Sequence, residues 1–349
     1  MNNEDMRLLK KEYLSIFLEN LFQNSIVFGP VVKDDKLFFG RMETSDNLFS
    51  GQGNTVNSAK DAFFPQMENL LNYSLKEKGV VINLPFPEKK NLALFGIRPC
   101  DAQGLLLLDR IFGGFQQDTY YSDKRNSSIV ISIACRNPDP ACFCTALGGG
   151  PFSTKGSDLL LIDLGDQYLV KAGTHKGKTL FNNELFGKAD DNALDQADIF
   201  EKKALDLMDL TALGNADINE DLERKLERLF DDPLWEDITE SCLGCGICTY
   251  LCPVCHCFDI LDEAGQSAGQ RIRIWDSCQF PLFTRQASGF NPRPTVKERF
   301  RQRIMHKFCY LPMNENMTGC TGCGRCVTQC PVNLDIREVI QKISAREAV

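Results

Sequence analysis

The second half of this chain is built around Cys242-Leu-Gly-Cys245-Gly-Ile-Cys248-Thr-Tyr-Leu-Cys252-Pro253. The same pattern returns near the C-terminal end as Cys320-Thr-Gly-Cys323-Gly-Arg-Cys326-Val-Thr-Gln-Cys330-Pro331. Both stretches read C-x2-C-x2-C-x3-C-P, the spacing by which thiolates hold [4Fe–4S] clusters. Two copies of this pattern predict a domain folded around two clusters.

The spacing also predicts which cysteines share a cluster. Three thiolates at x2 intervals wrap one cluster, and the fourth follows one helical turn later and points to the other cluster. The predicted ligands of the first cluster are Cys242, Cys245, Cys248 and Cys330. The predicted ligands of the second cluster are Cys320, Cys323, Cys326 and Cys252. Paired C-x2-C units also suit structural zinc, which is the alternative for these residues.

The composition limits the classes of protein to which the chain can belong. Its formal net charge of −8 argues against a nucleic-acid partner. No apolar run approaches the roughly 20 residues of a membrane span, and the first residues lack the apolar core of a signal peptide. We therefore expect a cytoplasmic protein without membrane insertion. Disulfides are disfavoured in a reducing cytosol, so the 16 cysteines indicate thiolate ligation of soft metal centres.

The chain is long enough for two domains. Apolar runs of strand length recur in its first half, which predicts an α/β domain over residues 1–225. Residues 226–349 are predicted to form an α-helical ferredoxin-like domain, so the expected fold class is α+β. The opening segment, residues 4–22, carries apolar residues at helical spacing and predicts an amphipathic helix.

Two predicted strands of the first domain lead to cysteines, Cys100 and Cys135, and the loop after the second strand supplies Cys142 and Cys144. A helical pattern begins beside Cys100, with Asp101 as its predicted N-cap. Ligand sites of α/β units lie at the carboxyl ends of strands. We therefore expect the four thiols to hold a third [4Fe–4S] cluster. The alternatives are small buried core cysteines and a zinc site.

The insert between the two motifs carries thiols of its own. A further metal centre is predicted from Cys255, Cys257 and Cys278, with Cys309 or His256 as a fourth ligand. The alternative is that these side chains pack tightly around the neighbouring clusters and tune them through hydrogen bonds to sulfur.

Helical patterns over residues 295–308 and 333–343 are expected to complete the second domain. The first of them is strongly basic in an otherwise acidic protein. Its cations could offset the negative charge of thiolate-ligated clusters, face an acidic partner, or lie on a solvated helix face. They are Lys297, Arg299, Arg301, Arg303 and Lys307.

Several separated segments together resemble one family, the beta subunits of cytoplasmic sulfhydrogenases, which are NAD(P)-linked [NiFe] hydrogenases. A more distant resemblance is to the smaller iron–sulfur component, designated A, of anaerobic sulfite reductase. The segments lie between about residues 95 and 331. They are FGIRPCDAQGLLLLD, ACRNPDPACFC, DPLWEDITESCLGCGICTYLCPVCHCFDILD, RIRIWDSCQF, RFRQRIMHKF and CTGCGRCVTQCP.

The resemblance implies an iron–sulfur electron-transfer subunit of a multisubunit cytoplasmic oxidoreductase. One implied partner is an NAD(P)H-oxidoreductase subunit that carries flavin and a [2Fe–2S] cluster. The other is a terminal catalytic subunit, either a hydrogenase, a sulfite reductase or a heterodisulfide-reductase-like module. We assign no catalytic residue, because the sequence carries no Ser/His/Asp set, paired carboxylate site or nucleotide loop.

Two other functions stay open at this point. The chain could be the component designated A of an anaerobic sulfite reductase, or a polysulfide-reducing subunit whose own cluster has an open coordination position. Substrate-dependent EPR changes in the isolated subunit would identify that class. It could also be a structural adaptor whose extra thiols bind zinc, which metal analysis would reveal.

Overall fold

The computed structural model describes residues 5–44, 53–85, 91–182, 184–209 and 220–346. Its strands are β1 (Met6–Lys10), β2 (Ser25–Lys33), β3 (Lys36–Arg41), β4 (Met67–Lys76), β5 (Gly79–Asn83), β6 (Asn91–Ile97), β7 (Ser128–Ile133), β8 (Leu159–Asp163), β9 (Gln167–Ala172), β10 (Phe186–Lys188), β11 (Phe258–Ala264) and β12 (Ala268–Trp275). Its helices are α1 (Leu14–Asn24), α2 (Pro99–Phe112), α3 (Thr119–Asn126), α4 (His175–Thr179), α5 (Asp191–Asp209), α6 (Glu220–Arg228), α7 (Leu234–Thr239), α8 (Ile247–Tyr250), α9 (Val296–Met305), α10 (Leu311–Glu315), α11 (Arg325–Thr328) and α12 (Ile336–Ala345). The predicted α+β class is confirmed.

The larger sheet has eight strands in the order β10-β1-β9-β8-β7-β6-β2-β3. Strands β2, β6, β7 and β8 run parallel, and the strands outside them pair antiparallel. Because β6 and β7 are parallel neighbours, the segments that follow them leave the sheet side by side. This edge carries the N-terminal thiols.

Both faces of the larger sheet are covered, which explains the unbroken apolar run of β6. On one face, Ala93 and Phe95 pack in a core that includes Phe17 of α1. On the other face, Leu94 packs in a core that includes Leu105 of α2. Burial of α2 against the sheet fixes its first turn at the strand end.

The opening segment differs from its prediction. Residues 6–10 form strand β1, and helix α1 begins only at Leu14. Strand β1 lies between β9 and β10, with Leu9 buried in the core and Leu8 packed on the opposite side. Two adjacent apolar residues fit a strand covered on both faces as well as a helix, and long-range pairing decides between them.

A second sheet of four strands, in the order β11-β12-β4-β5, combines the insert with the N-terminal half of the chain. Arg273 of β12 is almost fully buried and pairs with the carboxylates of Glu68 and Asp118. The indole Nε1 of Trp275 donates to the carbonyl oxygen of Phe64 at 3.1 Å. The insert is thus anchored to the N-terminal half, and the predicted domain boundary stays a prediction.

The C-terminal helices surround a separate apolar core, to which α6, α7, α9 and α12 contribute. Trp235 is fully buried there, and its Nε1 donates to the carbonyl oxygen of Leu229 at 2.7 Å. Helix α9 begins with a capping box between Thr295 and Glu298 and continues through a π-helical turn, His306–Tyr310. The helices predicted over residues 295–308 and 333–343 are confirmed.

A buried ion pair joins the two halves of the molecule. Helix α2 begins at Pro99 with Arg98 as its N-cap, so Asp101 lies in the first turn and the predicted N-cap is wrong. Its carboxylate accepts two hydrogen bonds, at 2.6 and 2.7 Å, from the guanidinium of Arg325 in α11. Arg325 also donates to the carbonyl and hydroxyl oxygens of Thr55. Both charged side chains are 2% exposed.

Replacing Arg325 by Met should lower the free energy of unfolding by about 3–5 kcal/mol, because it leaves the Asp101 carboxylate buried without a counter-charge. Arg110→Met is the matched control, since Arg110 pairs with Glu315 between the same two halves but is half exposed. That change should cost less than about 1 kcal/mol. Chemical denaturation followed by circular dichroism measures both values, and equal losses would contradict the prediction.

Candidate iron–sulfur sites

The two cysteine motifs fold into the same local structure, a loop followed by one helical turn. The turns are α8 in the first motif and α11 in the second. Glycines take a left-handed backbone at equivalent positions, with φ of 64° and 77° at Gly244 and Gly246, and 65° and 76° at Gly322 and Gly324. A side chain with a Cβ is disfavoured there. The repeated glycines therefore allow each loop to curl tightly.

The first motif bounds a cavity of about 460 Å³, which we call the first cavity. Its walls carry four thiols, those of Cys242, Cys245, Cys248 and Cys330. They are the four predicted ligands of the first cluster. Arg303 of α9 lines the same cavity.

The second motif bounds a neighbouring cavity of about 290 Å³, which we call the second cavity. Its thiols are those of Cys252, Cys320, Cys323 and Cys326, the predicted ligands of the second cluster. Each cavity therefore takes three thiols from one motif and one from the other. This donor set fits a [4Fe–4S] cluster in each cavity, and the individual ligands stay predictions.

Burial shapes the protonation of the thiols around the second cavity. It raises the pKa of Cys320 to about 12 and that of Cys323 to about 11. Ligands to iron are thiolates, so binding of a cluster must displace these protons. Cys252 differs, because a hydrogen bond from the thiol of Cys255 holds its pKa well below the usual value.

Three cations of α9 and the π-helical turn lie on the inner face of the helix. Arg299, Arg303 and Lys307 follow one another at intervals of four residues, and all three are buried. The Nζ of Lys307 donates to Cys252 Sγ at 3.2 Å and to the carbonyl oxygen of Gly319 at 2.7 Å. Of the three interpretations of the basic run, these residues fit charge compensation of the thiolates.

Lys60 is a further buried cation that the sequence analysis did not single out. Its Nζ lies 4.0 Å from the ring centroid of Trp275 and donates to the carbonyl oxygen of Cys255 at 2.9 Å. Burial lowers its pKa, and the neighbouring thiolates of Cys255 and Cys252 act in the opposite direction. The polar stretch of sequence before Lys60 carries no periodic pattern that could have indicated this role.

The N-terminal thiols meet at the edge of the larger sheet, as expected. Cys100, Cys142 and Cys144 belong to one buried cluster of side chains, which also contains Cys323 of the second motif. Burial raises the pKa of Cys144 to about 12, and the neighbouring Cys135 adds to that rise. Four thiols from two strand ends and one loop thus lie together, and their ligation of a third cluster stays a prediction.

The loop that carries these thiols touches the second motif directly. The backbone N–H of Phe143 donates to the carbonyl oxygen of Gly322 at 2.8 Å, and the ring of Phe143 lines the second cavity. Asn54 Nδ2 donates to the carbonyl oxygen of Cys323 at 2.8 Å and to Cys142 Sγ at 3.5 Å. The N-terminal thiol site and the second cavity are therefore immediate neighbours.

The insert thiols form two pairs. Cys255 donates its hydrogen bond to Cys252, and Cys278 shares a side-chain hydrogen bond with Cys257 that lowers the pKa of Cys257 to about 7. The Nε2 of Gln279 also donates to Cys278 Sγ at 3.7 Å. The additional centre predicted from the three insert thiols stays a prediction.

The two candidate fourth ligands of that centre have other contacts. Cys309 is buried in the helical core with its Sγ 3.6 Å from Met313 Sδ. The Nδ1 of His256 lies 3.0 Å from the carbonyl oxygen of Val254, and its ring packs edge-on against that of His306. Within the described ranges, no group of three or more His, Cys, Asp or Glu side chains is arranged around a single metal ion. A four-iron cluster is larger than one ion, so this finding concerns mononuclear sites.

Two comparisons with known proteins identify the class. Residues 241–334 match the model of a 4Fe–4S dicluster domain family. Over 340 residues the chain is 31% identical to sulfhydrogenase 2 subunit beta of Pyrococcus furiosus, which covers 96% of this chain and 97% of that protein. No solved structure matches.

The fold and the thiol sites thus define an iron–sulfur electron-transfer subunit with a dicluster domain. The chain belongs to the family of sulfhydrogenase beta subunits. No helix within the described part of the chain is both long enough and apolar enough to span a membrane.

Replacing Cys142 by Ala should remove about four iron atoms per chain, the content of one cluster, and leave the iron of the dicluster domain in place. Cys142 lies with the N-terminal thiols and lines neither cavity. Cys309→Ala is the control, because this thiol is buried in the helical core. Iron analysis of the anaerobically purified variants measures the effect, and unchanged iron in Cys142→Ala would refute the N-terminal cluster.

Proposed function

We propose that this chain relays electrons between an NAD(P)H-oxidising subunit, which carries flavin and a [2Fe–2S] cluster, and a terminal catalytic subunit. The proposal favours a hydrogenase or a heterodisulfide-reductase-like module as that terminal subunit. The similarity to a sulfhydrogenase beta subunit, which extends over almost the whole chain, supports a place in such a complex. When bound, iron–sulfur clusters supply one-electron transfer, and the chain holds them in sequence.

The observation that carries this proposal is the continuity of the three thiol sites. The N-terminal thiols pack against Cys323, which also lines the second cavity. The second cavity in turn shares Arg303 and Cys326 with the first cavity. Clusters held at these sites would form one uninterrupted row.

The exposure of the sites gives the row a direction toward the surface. Cys245 of the first cavity is exposed, and the adjacent Leu243 is 66% exposed. The thiols of the N-terminal site and of the second cavity are buried or partly buried. We therefore place a partner's contact surface at the first cavity, with the N-terminal site at the opposite end of the row.

The additional centre of Cys255, Cys257 and Cys278 is proposed separately. Its support is the position of the insert thiols, because Cys255 contacts a ligand candidate of the second cavity. A triple replacement by Ser that lowers iron or zinc content while preserving the other clusters would support it. Unchanged metal content would leave these thiols as hydrogen-bonding neighbours of the clusters.

Metal and redox analysis of the full chain tests the relay. The anaerobically purified protein should contain about twelve iron atoms per chain, the content of three [4Fe–4S] clusters. NAD(P)H should reduce these clusters only when the flavin subunit is added. An iron content of about eight would limit the chain to two clusters, and a zinc-dominated content would refute the relay.

Leu243→Glu should slow electron transfer to the partner that docks at the first cavity by about tenfold, equivalent to about 1.4 kcal/mol of docking energy. The change replaces an exposed apolar contact beside Cys245 by a charge without altering a thiol. Val80→Glu is the matched control, since Val80 is similarly exposed but lies on the second sheet. Stopped-flow rates with equal iron contents measure the effect, and equal rates in the two variants would exclude this docking surface.

A further inference from the structure

Arg303 occupies an unusual position in helix α9. Its side chain lines both the first and the second cavity. The residue is only 3% exposed, and its Nε has no hydrogen-bond partner. Within the part of the chain that the structure describes, no carboxylate forms an ion pair with this guanidinium.

The other buried or half-buried cations of the helix are satisfied by other groups. Arg299 donates to the carbonyl oxygen of Pro294 at 2.8 Å. Arg301 turns outward, where it stacks on the ring of Phe230 and pairs with Asp231 at 3.0 Å. Arg303 alone of these arginines points at the space between the two motifs.

A buried charge without a counter-charge is strongly unfavourable. Burial alone would lower the pKa of Arg303, but the thiolates of Cys248, Cys326 and Cys255 raise it to a net value well above the usual one. Cys248 lines the first cavity and Cys326 lines both. The guanidinium is thus held by the negative charge of both thiol sets at once.

We propose that Arg303 is a shared counter-charge that raises the reduction potentials of both clusters of the dicluster domain. The proposal rests on the proposed relay function and adds a mechanism by which its two central steps are kept close in energy. Each reduction adds one electron, and therefore one negative charge, to a site. A fixed cation beside both sites favours each reduced form, and it offsets the repulsion between the two when both are reduced.

Lys307 provides an internal contrast. Its Nζ donates to Cys252 Sγ, and the residue lines only the second cavity. If fixed positive charge sets the potentials, its removal should affect one cluster, whereas removal of the Arg303 charge should affect two. The geometry therefore predicts a different pattern for each variant, which a general loss of packing would not produce.

The experiment is an EPR-monitored redox titration of the full chain with its clusters in place. In Arg303→Met, the reduction equilibrium of two clusters should become about tenfold less favourable, a shift of about −59 mV for each one-electron step. In Lys307→Met, one of those same two steps should shift, and the other should stay. Arg301→Met removes an equal charge from the outer face of α9 and should shift neither step.

The outcomes separate this inference from the relay itself. Clusters present with unchanged potentials in Arg303→Met would overturn the shared counter-charge and leave the relay intact. So would equal shifts in Arg303→Met and Arg301→Met, since these would reflect net charge alone. Absence of clusters from the unmodified chain would instead refute the relay.

Two further variants cover a failure of Arg303→Met to assemble. Arg303→Gln is a second neutral replacement, and Arg303→Lys keeps the charge. If both neutral variants lose cluster iron while the Lys variant keeps it with potentials near the original, a charge at this position is required and the inference holds. Loss of iron from the Lys variant as well would overturn it, because shape rather than charge would then be the requirement.

Discussion

The close backbone contact between the Cys142–Cys144 loop and the second cysteine motif is the constraint on which the rest of the structure depends. Phe143 donates its N–H to Gly322, and a Cβ on Gly322 would lie 2.5 Å from the backbone nitrogen of Cys144. Only glycine tolerates so near an approach in a left-handed conformation. This contact sets the N-terminal thiols directly beside the second cavity. The Asp101–Arg325 pair lies next to it and holds the same two elements together.

Helix α9 links the stability of the C-terminal half to the charge of its thiol sites. Its outer face makes exposed ion pairs, such as Lys297 with Glu236 at 2.9 Å. Its inner face carries Arg303 and Lys307 toward the cavities. The π-helical turn that contains Lys307 inserts an extra residue into the helical path at this point. One helix thus supplies both a framework and the positive charge that buried thiolates need.

Local pattern was sufficient for several features of the sequence analysis. The glycine-containing cysteine motifs, the parallel strands leading to Cys100 and Cys135, and the capped helix α9 all follow from short-range chemistry. The motif spacing also led to the exchange of Cys252 and Cys330 between the two cavities. Features that depend on distant pairing could not be found in this way. Strand β1 was taken for helix because its partners, β9 and β10, lie far along the chain.

The charge network was the other feature that sequence could only partly indicate. The interval of four between Arg299, Arg303 and Lys307 places them on one helix face, but it does not say whether that face is buried. The role of Lys60 depends on Trp275 and Cys255, which come from the other half of the chain. Likewise, Asp101 suited an N-cap on local grounds, and Arg325 gave it a different role.

The exchange of one thiol between the motifs has a consequence for biosynthesis. The first cavity is closed by Cys330, which the ribosome adds long after Cys242, Cys245 and Cys248. A nascent chain that ends within the insert therefore lacks a complete set of thiols for either cavity. Both sites become competent only after the last motif has been made and has folded back onto the first. Cofactor loading is thereby tied to completion of translation, which limits iron binding by truncated chains.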